Sequence, residues 1–239
     1  ATHLRNETDR VLPAVQEAID IGIRSGAGVH ISHHKVAGRA NWGTTVETLA
    51  LIDEARAGGL DVTVDVYPYT AGSTALQAVL PPWVQQGGTD VMLQRLGDAA
   101  TRRRIGGELG HEGGAWQNLV RATGWDGIVI AAAGGHPTAE GRTVATLAEE
   151  AHRDPLDVAC DLLVAERANV TIVLHMMDEP DVRNVLRWPR TMIGSDGILQ
   201  PGRPHPRLAG TFAKILGKYV REEKLWPLPE AIRRMTSLP

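Results

Sequence analysis

The sequence has a single cysteine, no surplus of basic residues and no long apolar run. One cysteine, Cys160, among 239 residues excludes an internal disulfide framework and favours a reducing compartment, so we expect a cytoplasmic protein. With 25 Lys and Arg against 28 Asp and Glu, the net charge of -3 excludes a broad basic surface for nucleic acid or for an anionic membrane. No apolar run reaches the length of a membrane span. We therefore expect a small-molecule partner rather than a nucleic acid or a membrane.

Composition and apolar periodicity indicate a globular α/β fold. Hydrophobic residues make up 43% and charged residues 22%, as in ordinary globular proteins. Strand–helix units of this length predict parallel strands joined by right-handed crossovers. The predicted strands are residues 2–5, 29–32, 60–67, 128–132, 170–174 and 191–193. The predicted helices are residues 11–25, 46–57, 90–96, 212–222 and 229–235, with a further helix starting at Asp154-Pro155.

Residues 68–124 interrupt this alternation. The segment contains the pairs Pro81-Pro82, Gly87-Gly88, Gly106-Gly107 and Gly113-Gly114, with short helical pieces between them. We interpret it as an insertion or lid before the last strand, within a single domain of residues 1–239. In the helix that follows Pro155, Cys160 falls on the apolar face, which predicts a core residue rather than a nucleophile or a ligand.

Polar side chains follow several of the predicted strands. In parallel α/β folds, functional groups gather where strands end, at the carboxyl edge of the sheet. Taken singly, each residue has a structural explanation, because a strand-end histidine is more often hydrogen-bonded within the protein and an aspartate often forms a turn. The residues in question are His3, His33, His34, Lys35, Tyr67, Tyr69, His175 and Asp196.

Together these residues indicate a metal site. Two imidazoles from neighbouring strands and a carboxylate from a later strand are ligands that suit zinc. An open coordination position lets zinc lower the pKa of a bound water to about 7, and a nearby carboxylate can take the proton of that water. The pattern favours metal-assisted hydrolysis and leaves the substrate open.

Six short motifs follow one another along the chain: Thr2-His-Leu-Arg-Asn-Glu7, Ile31-Ser-His-His-Lys35, Asp65-Val-Tyr-Pro-Tyr-Thr-Ala71, Ile193-Gly-Ser-Asp-Gly197, His205-Pro-Arg207 and Met235-Thr-Ser-Leu-Pro239. Their order resembles that of the D-aminoacylases, the N-acyl-D-amino-acid deacylases of the amidohydrolase superfamily. The resemblance spans essentially the whole chain. It implies part of a metal-dependent (β/α)8 TIM-like barrel, one or two zinc ions, and hydrolysis of the amide bond of an N-acylated D-amino acid.

The resemblance also implies roles for single residues. His3 and His33 resemble the metal ligands of the fifth and sixth barrel strands. Asp196 resembles the aspartate of the last strand, which activates the metal-bound water and protonates the leaving amine. Lys35 and Arg207 resemble the cations that hold the substrate carboxylate, and the fork of Arg207 suits a bidentate contact better.

Five further residues have less definite roles. One of Tyr67 and Tyr69 is implied to contact the substrate, and the sequence leaves open which. His34 follows a ligand and points away from it in a regular strand, so we expect it to support the ligands from behind. For His30 and His175 we favour a structural role.

The sequence departs from the family in its early motifs. It contains no His-x-His, no early cysteine to bridge metals, and none of the β-sandwich segments that flank the barrel. We therefore expect the second half of the barrel, strands five to eight. Three alternatives stay open: an enzyme completed by a longer chain or a companion polypeptide, an inactive fragment that self-associates through its open edges, and a dihydroorotase- or hydantoinase-like cyclic amidohydrolase. Arg207 and its His-Pro-Arg motif favour an N-acyl-D-amino acid over a cyclic amide.

Overall fold

The computed structural model of the chain describes residues 1–111 and 116–239. Its strands are β1 (Val29–Ile31), β2 (Val62–Val66), β3 (Ala71–Ala75), β4 (Ile128–Ala133), β5 (Val170–His175) and β6 (Thr191–Ile193). Its α-helices are α1 (Val11–Ser25), α2 (Thr45–Ala57), α3 (Pro82–Gln85), α4 (Thr89–Leu96), α5 (Ala99–Leu109), α6 (Leu119–Thr123), α7 (Val144–Ala151), α8 (Pro155–Ala165), α9 (Glu179–Arg187), α10 (Arg207–Lys214) and α11 (Leu228–Met235). A π-helical segment, Ile215–Glu222, continues α10. None of the helices within the described ranges has both the length and the apolar character needed to cross a membrane.

The chain forms two compact units. The first unit consists of Ala1–Thr70, Met177–Ile198 and Pro206–Pro239, and the second consists of Ala71–Met176 and Leu199–His205. Of the residues that the sequence predicts at strand ends, all except His175 belong to the first unit. The candidate site therefore lies within that unit.

A parallel sheet in the order β1–β2–β6 forms the centre of the first unit. Thr2 adds an isolated parallel bridge to Ile31, so the N-terminal segment lies beside β1. Because all of these segments run in the same direction, the residues that follow them lie at one carboxyl edge. The predicted parallel pairing is confirmed for β1, β2 and β6.

Helix α1 forms where the sequence predicts it, because both its buried face and its end are encoded locally. Apolar residues spaced three and four apart bury one side of the helix. The helix ends at Gly26, whose φ of 72° is left-handed and whose N–H donates to the carbonyl of Gly22. Gly22 also permits close packing on β1, since a Cβ there would lie 2.5 Å from Cγ2 of Val29.

Strand β2 has a core face and a polar face. Val62, Val64 and Val66 are buried in a core that also includes apolar residues of α1, α2 and α9. Thr63 and Asp65 lie on the opposite face and are half-buried. The two-residue period of a strand therefore turns Asp65 away from the apolar core, towards the residues of the candidate site.

An antiparallel sheet in the order β3–β5–β4 forms the centre of the second unit. The sequence predicts β4 and β5 as strands, but the expectation that strand–helix units give parallel pairs is wrong for them. A continuous apolar run such as Ile128–Ala133 fits a buried strand of either kind, because pairing direction depends on distant segments.

Helix α8 begins at Pro155, as predicted. The carboxylate of Asp154 accepts a hydrogen bond of 2.8 Å from the N–H of Leu156, which caps the helix. Cys160 is fully buried in this helix, and burial raises the pKa of its thiol to about 12. The prediction that Cys160 is a core residue is confirmed, and a thiol with so high a pKa is unsuited to nucleophilic attack.

The predicted insertion, residues 68–124, lies almost entirely within the second unit. That unit continues past it to Met176, because β4, α7, α8 and β5 also belong to it. The sequence patterns of β4 and β5 do not indicate that these strands belong to a second sheet. Residues 112–115, which include Gly113 and Gly114, lie outside the described residues. The role of the segment as a lid stays a prediction.

Candidate active site

The turn after β1 presents His33 in a rare backbone conformation. His33 has a φ of 42°, in the left-handed region that residues other than glycine seldom adopt. Asp65 of β2 holds this turn through two hydrogen bonds. Its Oδ1 accepts from the N–H of His33 at 2.8 Å, and its main-chain carbonyl accepts from the N–H of His34 at 2.8 Å. The turn thereby places the His33 ring at the carboxyl edge of the sheet.

Asp65 also joins β1 to β2 through side chains. Its Oδ2 lies 2.7 Å from Nε2 of His30, and Nδ1 of His30 lies 2.8 Å from the Thr63 hydroxyl. Burial raises the pKa of Asp65, but the hydrogen bonds from His30 and from the His33 N–H outweigh it and lower the pKa overall. Gly194 of the neighbouring β6 end lies close by, since a Cβ there would be 2.8 Å from Asp65 Oδ1. His30 thus has a structural role, as the sequence favoured.

His3 and His33 bring their rings together. Nδ1 of His3 lies 2.9 Å from Nε2 of His33, and the ring centroids are 4.7 Å apart. Glu7 adds a carboxylate, and one possible ligand atom from each of the three residues lies within 4.8 Å of the others. Burial lowers the pKa of His3, which favours the neutral imidazole that metals bind. Imidazoles are common zinc ligands, and a carboxylate beside a ligand histidine commonly supports it, so these three residues fit a zinc site.

Glu7 and Lys35 form a buried ion pair beside His33. Oε1 of Glu7 lies 2.6 Å from Nζ of Lys35 and 3.1 Å from Nδ1 of His33, and the Glu7 and Lys35 side chains are 3% and 8% exposed. Burial raises the pKa of Glu7, but the charge of Lys35 and the contacts with His33 outweigh it and bring the pKa to about 2. Burial lowers the pKa of Lys35, and Glu7 more than compensates, so the pKa is raised overall. Both groups therefore stay charged at neutral pH.

The ammonium of Lys35 is surrounded by acceptors of the protein itself. Its Nζ lies 2.6 Å from Glu7 Oε1, 2.8 Å from His33 Nδ1 and 3.0 Å from the His33 carbonyl. An ammonium has three N–H donors, and these three contacts occupy all of them. The resemblance implies that Lys35 holds a substrate carboxylate, whereas this geometry fits a residue that ties Glu7 to the His33 turn.

Tyr67 lies between two cations. Cζ of Arg207 is 4.6 Å from the ring centroid and Nζ of Lys35 is 5.9 Å from it, both within the range of cation–π contacts. Burial raises the pKa of the Tyr67 hydroxyl, which keeps it protonated. Arg207 is buried and its Nη1 lies 2.8 Å from Oδ2 of Asp196. Asp196 has a φ of 47°, so it shares the left-handed conformation of His33.

The negative charge of Asp196 also affects the pKa values of two other residues of the site. Burial has the largest effect on the pKa values of His3 and Lys35, and the negative charge of Asp196 raises both. Such effects between charges are appreciable only over short distances at physiological ionic strength. A continuous series of contacts in the first unit joins these predicted site residues: His3, His33, Lys35, Tyr67, Arg207 and Asp196.

Tyr69 lies outside this group. Its hydroxyl is 3.5 Å from the carbonyl of Pro206, and its ring centroid is 4.1 Å from Nζ of Lys214. Gly210 leaves room for it, because a Cβ there would lie 2.5 Å from the Tyr69 hydroxyl. Tyr69 therefore packs on α10, and Tyr67 is the tyrosine beside Arg207.

The other two histidines that the sequence predicts at strand ends, His34 and His175, do not contribute to the group of His3, His33 and Glu7. His34 is fully buried, its Nε2 lies 2.9 Å from the hydroxyl of Thr48, and burial lowers its pKa to about 4. It packs behind the turn of His33, as the sequence predicts. His175 is exposed at the end of β5, in the second unit.

The sequence patterns missed two carboxylates, Glu7 and Asp65. A glutamate in a non-helical segment is ordinarily exposed, and an aspartate at a polar position of an alternating strand ordinarily faces solvent. One signal was available, since a lysine next to a buried ligand histidine needs an anionic partner to remain charged. That requirement points to Glu7 in the motif that also contains His3.

Sequence comparison places the chain among known proteins. No protein-family model matches it. It is 35% identical over 240 residues to an N-acyl-D-glutamate deacylase of Alcaligenes xylosoxydans xylosoxydans, and 36% identical over 238 residues to a D-aminoacylase of the same organism. Both alignments cover 100% of this chain. The chain is a relative of the D-aminoacylases. It spans only 39% and 40% of the lengths of these two relatives.

Structural comparison agrees with this assignment. A crystal structure of N-acyl-D-glutamate deacylase from Bordetella bronchiseptica, complexed with zinc and a phosphonate inhibitor that mimics the tetrahedral intermediate, matches with a TM-score of 0.74 and 33% identity. The match covers 99% of this chain and 40% of that one. The predicted α/β fold and the resemblance to D-aminoacylases are therefore confirmed.

Proposed function

We propose that this chain provides part of the active site of a zinc-dependent enzyme that hydrolyses the amide bond of N-acyl-D-amino acids. The observation that supports this most strongly is a series of contacts at one sheet edge. His3 contacts His33, Lys35 contacts His33, Lys35 and Arg207 both lie over the Tyr67 ring, and Arg207 pairs with Asp196. The carboxyl edge is where parallel α/β enzymes bind their substrates. The identity of 35% and 36% to proteins named as deacylases supports the reaction class.

His3 and His33 are the proposed metal ligands. When bound, zinc supplies Lewis-acid activation of a water molecule and of the substrate carbonyl. Asp65 fixes the backbone of His33 and Glu7 contacts its ring, so the ligand is held at two points. Burial lowers the pKa of His3, which keeps its imidazole available as a ligand near neutral pH.

Asp196 is the proposed general base and general acid. Its carboxylate would take a proton from the attacking water and deliver it to the leaving amine, which returns Asp196 to its starting state after each turnover. Its side chain is 34% exposed and can therefore reach a substrate, while the contact with Arg207 limits its orientations. Proton transfer of this kind commonly contributes about 100- to 10,000-fold to a rate.

Arg207 is the proposed site for the substrate carboxylate. A guanidinium presents paired N–H donors that match the two oxygens of a carboxylate. Burial beside the Tyr67 ring strengthens this attraction, because little water remains to screen it. Every N-acyl-amino acid has this carboxylate, so the contact would select the class of substrate rather than its side chain.

We propose further that the parallel sheet corresponds to strands five to eight of a (β/α)8 barrel. Four adjacent parallel segments support this, namely the N-terminal segment, β1, β2 and β6. The second unit would then be an insertion before the last strand. In the relatives, about 60% of the length lies outside the matched part, so further ligands would come from other sequence.

Zinc content tests the metal site. We would load the 239-residue chain with zinc, dialyse it and measure metal by elemental analysis. About one zinc per chain is expected to remain, and the His3→Ala and His33→Ala variants are expected to lose it. His175→Ala, an exposed histidine of the second unit, is the matched control. Failure of the unsubstituted chain to retain zinc would show that the residues of this chain cannot hold the metal without further ligands.

Product formation tests the reaction. The zinc-loaded protein would be incubated with N-acetyl-D-glutamate and N-acetyl-L-glutamate, and the released amino acid would be measured. Release from the D-substrate alone supports the proposal. Retained zinc without release would favour the alternative of an incomplete enzyme, and opening of dihydroorotate or hydantoin instead would favour a cyclic amidohydrolase.

A further inference from the structure

Nδ1 of His33 has two neighbours that require opposite positions of the ring proton. Nζ of Lys35, at 2.8 Å, can only donate a hydrogen bond, whereas the ionised carboxylate of Glu7, at 3.1 Å, can only accept one. A neutral imidazole has a single ring proton. Nδ1 can therefore satisfy only one of these neighbours at a time.

In the arrangement described here, the contacts favour the proton on Nε2 of His33. Lys35 then donates to the bare Nδ1 at 2.8 Å, and the Nε2–H of His33 donates to Nδ1 of His3 at 2.9 Å. Glu7 still receives a hydrogen bond, since Lys35 also lies 2.6 Å from its Oε1. The contacts of Lys35 with Glu7 and with His33, and that of His33 with His3, then each join a donor to an acceptor. The 3.1 Å contact between Oε1 of Glu7 and Nδ1 of His33 has no proton in this form.

A metal held by His33 would reverse this assignment. Nε2 is the ring nitrogen that faces His3, so it is the nitrogen that would be available to a metal. With a metal on Nε2, the proton must occupy Nδ1, where a donor such as Lys35 is unfavourable and an acceptor is required. Metal-bound histidines generally donate this second N–H to a carboxylate or carbonyl, which fixes the ring and increases its basicity.

We propose that Glu7 is a positioning residue that accepts the Nδ1 proton of His33 when a metal is bound, and that metal binding moves this proton from Nε2 to Nδ1. This inference rests on the proposed metal site. The shift is balanced, because one proton moves between two nitrogens of the same ring. Lys35 can withdraw from Nδ1 without losing its other contacts, with Glu7 at 2.6 Å and the His33 carbonyl at 3.0 Å.

The position of Glu7 favours this role over direct ligation. Its Oε1 lies 3.1 Å from Nδ1, the ring nitrogen that faces away from His3. Its side chain is 3% exposed and is ion-paired with Lys35. A carboxylate buried in this way can accept the Nδ1 proton of a ligand histidine and so fix the orientation of its ring.

Imidazole nitrogen spectra test the proton shift. Two-bond ¹H–¹⁵N correlation spectra would be recorded for the protein without metal and with one equivalent of zinc, with His33→Ala used to assign the signals. We expect the Nε2–H form of His33 without metal and the Nδ1–H form with zinc. The same form in both states would overturn the proposal. Because a metal on Nε2 fixes the proton on Nδ1 whichever group accepts it, the part played by Glu7 is tested separately, by zinc affinity.

Zinc affinity tests the role of Glu7. We expect Glu7→Gln to weaken zinc binding by about 10- to 100-fold, as is usual for the carboxylate behind a metal-bound histidine. Glu7→Gln combined with Lys35→Met removes both charges and should show a similar loss. Glu17→Gln is the matched control, since Glu17 of α1 is also ion-paired, with Arg5, and lies outside the site. If the double variant binds zinc as tightly as the unsubstituted protein, local net charge explains the effect and the proposal fails.

These measurements distinguish an error in the proposed metal site from an error in the role of Glu7. If the unsubstituted chain binds no zinc, it does not form the metal site by itself, and the inference about Glu7 fails for this chain. If zinc binds equally well after His33→Ala, His33 is not a ligand and the inference fails as well. If zinc binds through His33 but is indifferent to Glu7, only the inference about Glu7 is wrong. The double variant keeps the test decisive if Glu7→Gln alone fails to fold.

Discussion

Nη1 of Arg207 lies 2.8 Å from Oδ2 of Asp196, and the arginine is 4% exposed while the aspartate is 34% exposed. The residue proposed to hold the substrate carboxylate therefore also contacts the proposed acid and base. A substrate carboxylate that approached Arg207 would meet a guanidinium already oriented by Asp196. Substitutions that separate proton transfer from binding are thus the most informative.

Asp196→Asn tests proton transfer. An amide keeps the size of the carboxylate but cannot accept the proton, so we expect kcat to fall by about 100- to 10,000-fold. Zinc content should be unchanged if the main task of Asp196 is proton transfer. Loss of the contact with Arg207 should cost about 1 kcal/mol in the free energy of unfolding, since the partly exposed carboxylate is screened by water. Asp20→Asn, on the exposed face of α1, is the control. Normal turnover of Asp196→Asn would refute its assigned role.

Arg207→Lys tests the carboxylate contact. An ammonium is a point charge and cannot reproduce a bidentate contact, so we expect KM for an N-acyl-D-amino acid to rise by about tenfold or more. The fall in kcat should be smaller than the rise in KM. Steady-state kinetics would measure both, with Arg5→Lys, an exposed arginine paired with Glu17, as the control. An unchanged KM would remove Arg207 from the carboxylate site.

Lys35→Met tests whether Lys35 is structural or binds substrate. Removing the ammonium leaves the carboxylate of Glu7 buried without its cation, so we expect the free energy of unfolding to fall by about 3 kcal/mol. Adding Glu7→Gln should restore part of this loss, because the second charge is then also removed. Chemical denaturation would measure both variants. A large rise in KM with unchanged stability would instead support the role that the resemblance implies.

His34 should make the stability depend on pH. Burial lowers its pKa from 6.5 to about 4 in the folded protein. As the pH falls below about 6.5, the unfolded chain binds a proton that the folded protein does not, so stability is complete above that pH and declines down to about pH 4. The decline should reach about 3 kcal/mol. We expect His34→Gln to flatten this slope in denaturation curves recorded from pH 7 to pH 4.

The exposed His175→Gln variant provides the reference slope for this comparison. Subtracting each variant from the unsubstituted protein isolates the one histidine, although other groups also titrate in the same interval. An identical slope for His34→Gln and the unsubstituted protein would show that His34 does not titrate differently on folding.

Elements with local signals were predictable from the sequence. Helix α1 has a regular apolar face and a glycine that ends it, and α8 has Asp154 and Pro155 at its start. Strand β6 was also predicted with its observed bounds. These signals lie within a few residues of the feature that they specify, so no knowledge of the rest of the chain is required.

Pairing between distant segments was not predictable. The sequence of β4 allows either pairing direction, and its antiparallel partner β5 lies more than 35 residues away. The histidines of the site could be found because each belongs to a short motif. Glu7 and Asp65 could not be found in this way, because their roles depend on residues distant in the sequence. Their function arises from contacts with Lys35 and His33, which only the folded chain brings within reach.

The left-handed backbones of His33 and Asp196, with φ values of 42° and 47°, have a consequence for variation at these positions. Glycine adopts this conformation at little cost, whereas a histidine or aspartate is strained by about 1 kcal/mol or more. Laboratory selection for thermal stability alone would therefore favour glycine at both positions and discard a proposed ligand and a proposed acid. A screen for robust variants of this protein would have to require zinc retention and turnover at every round, or it would enrich a well-folded scaffold without its chemistry.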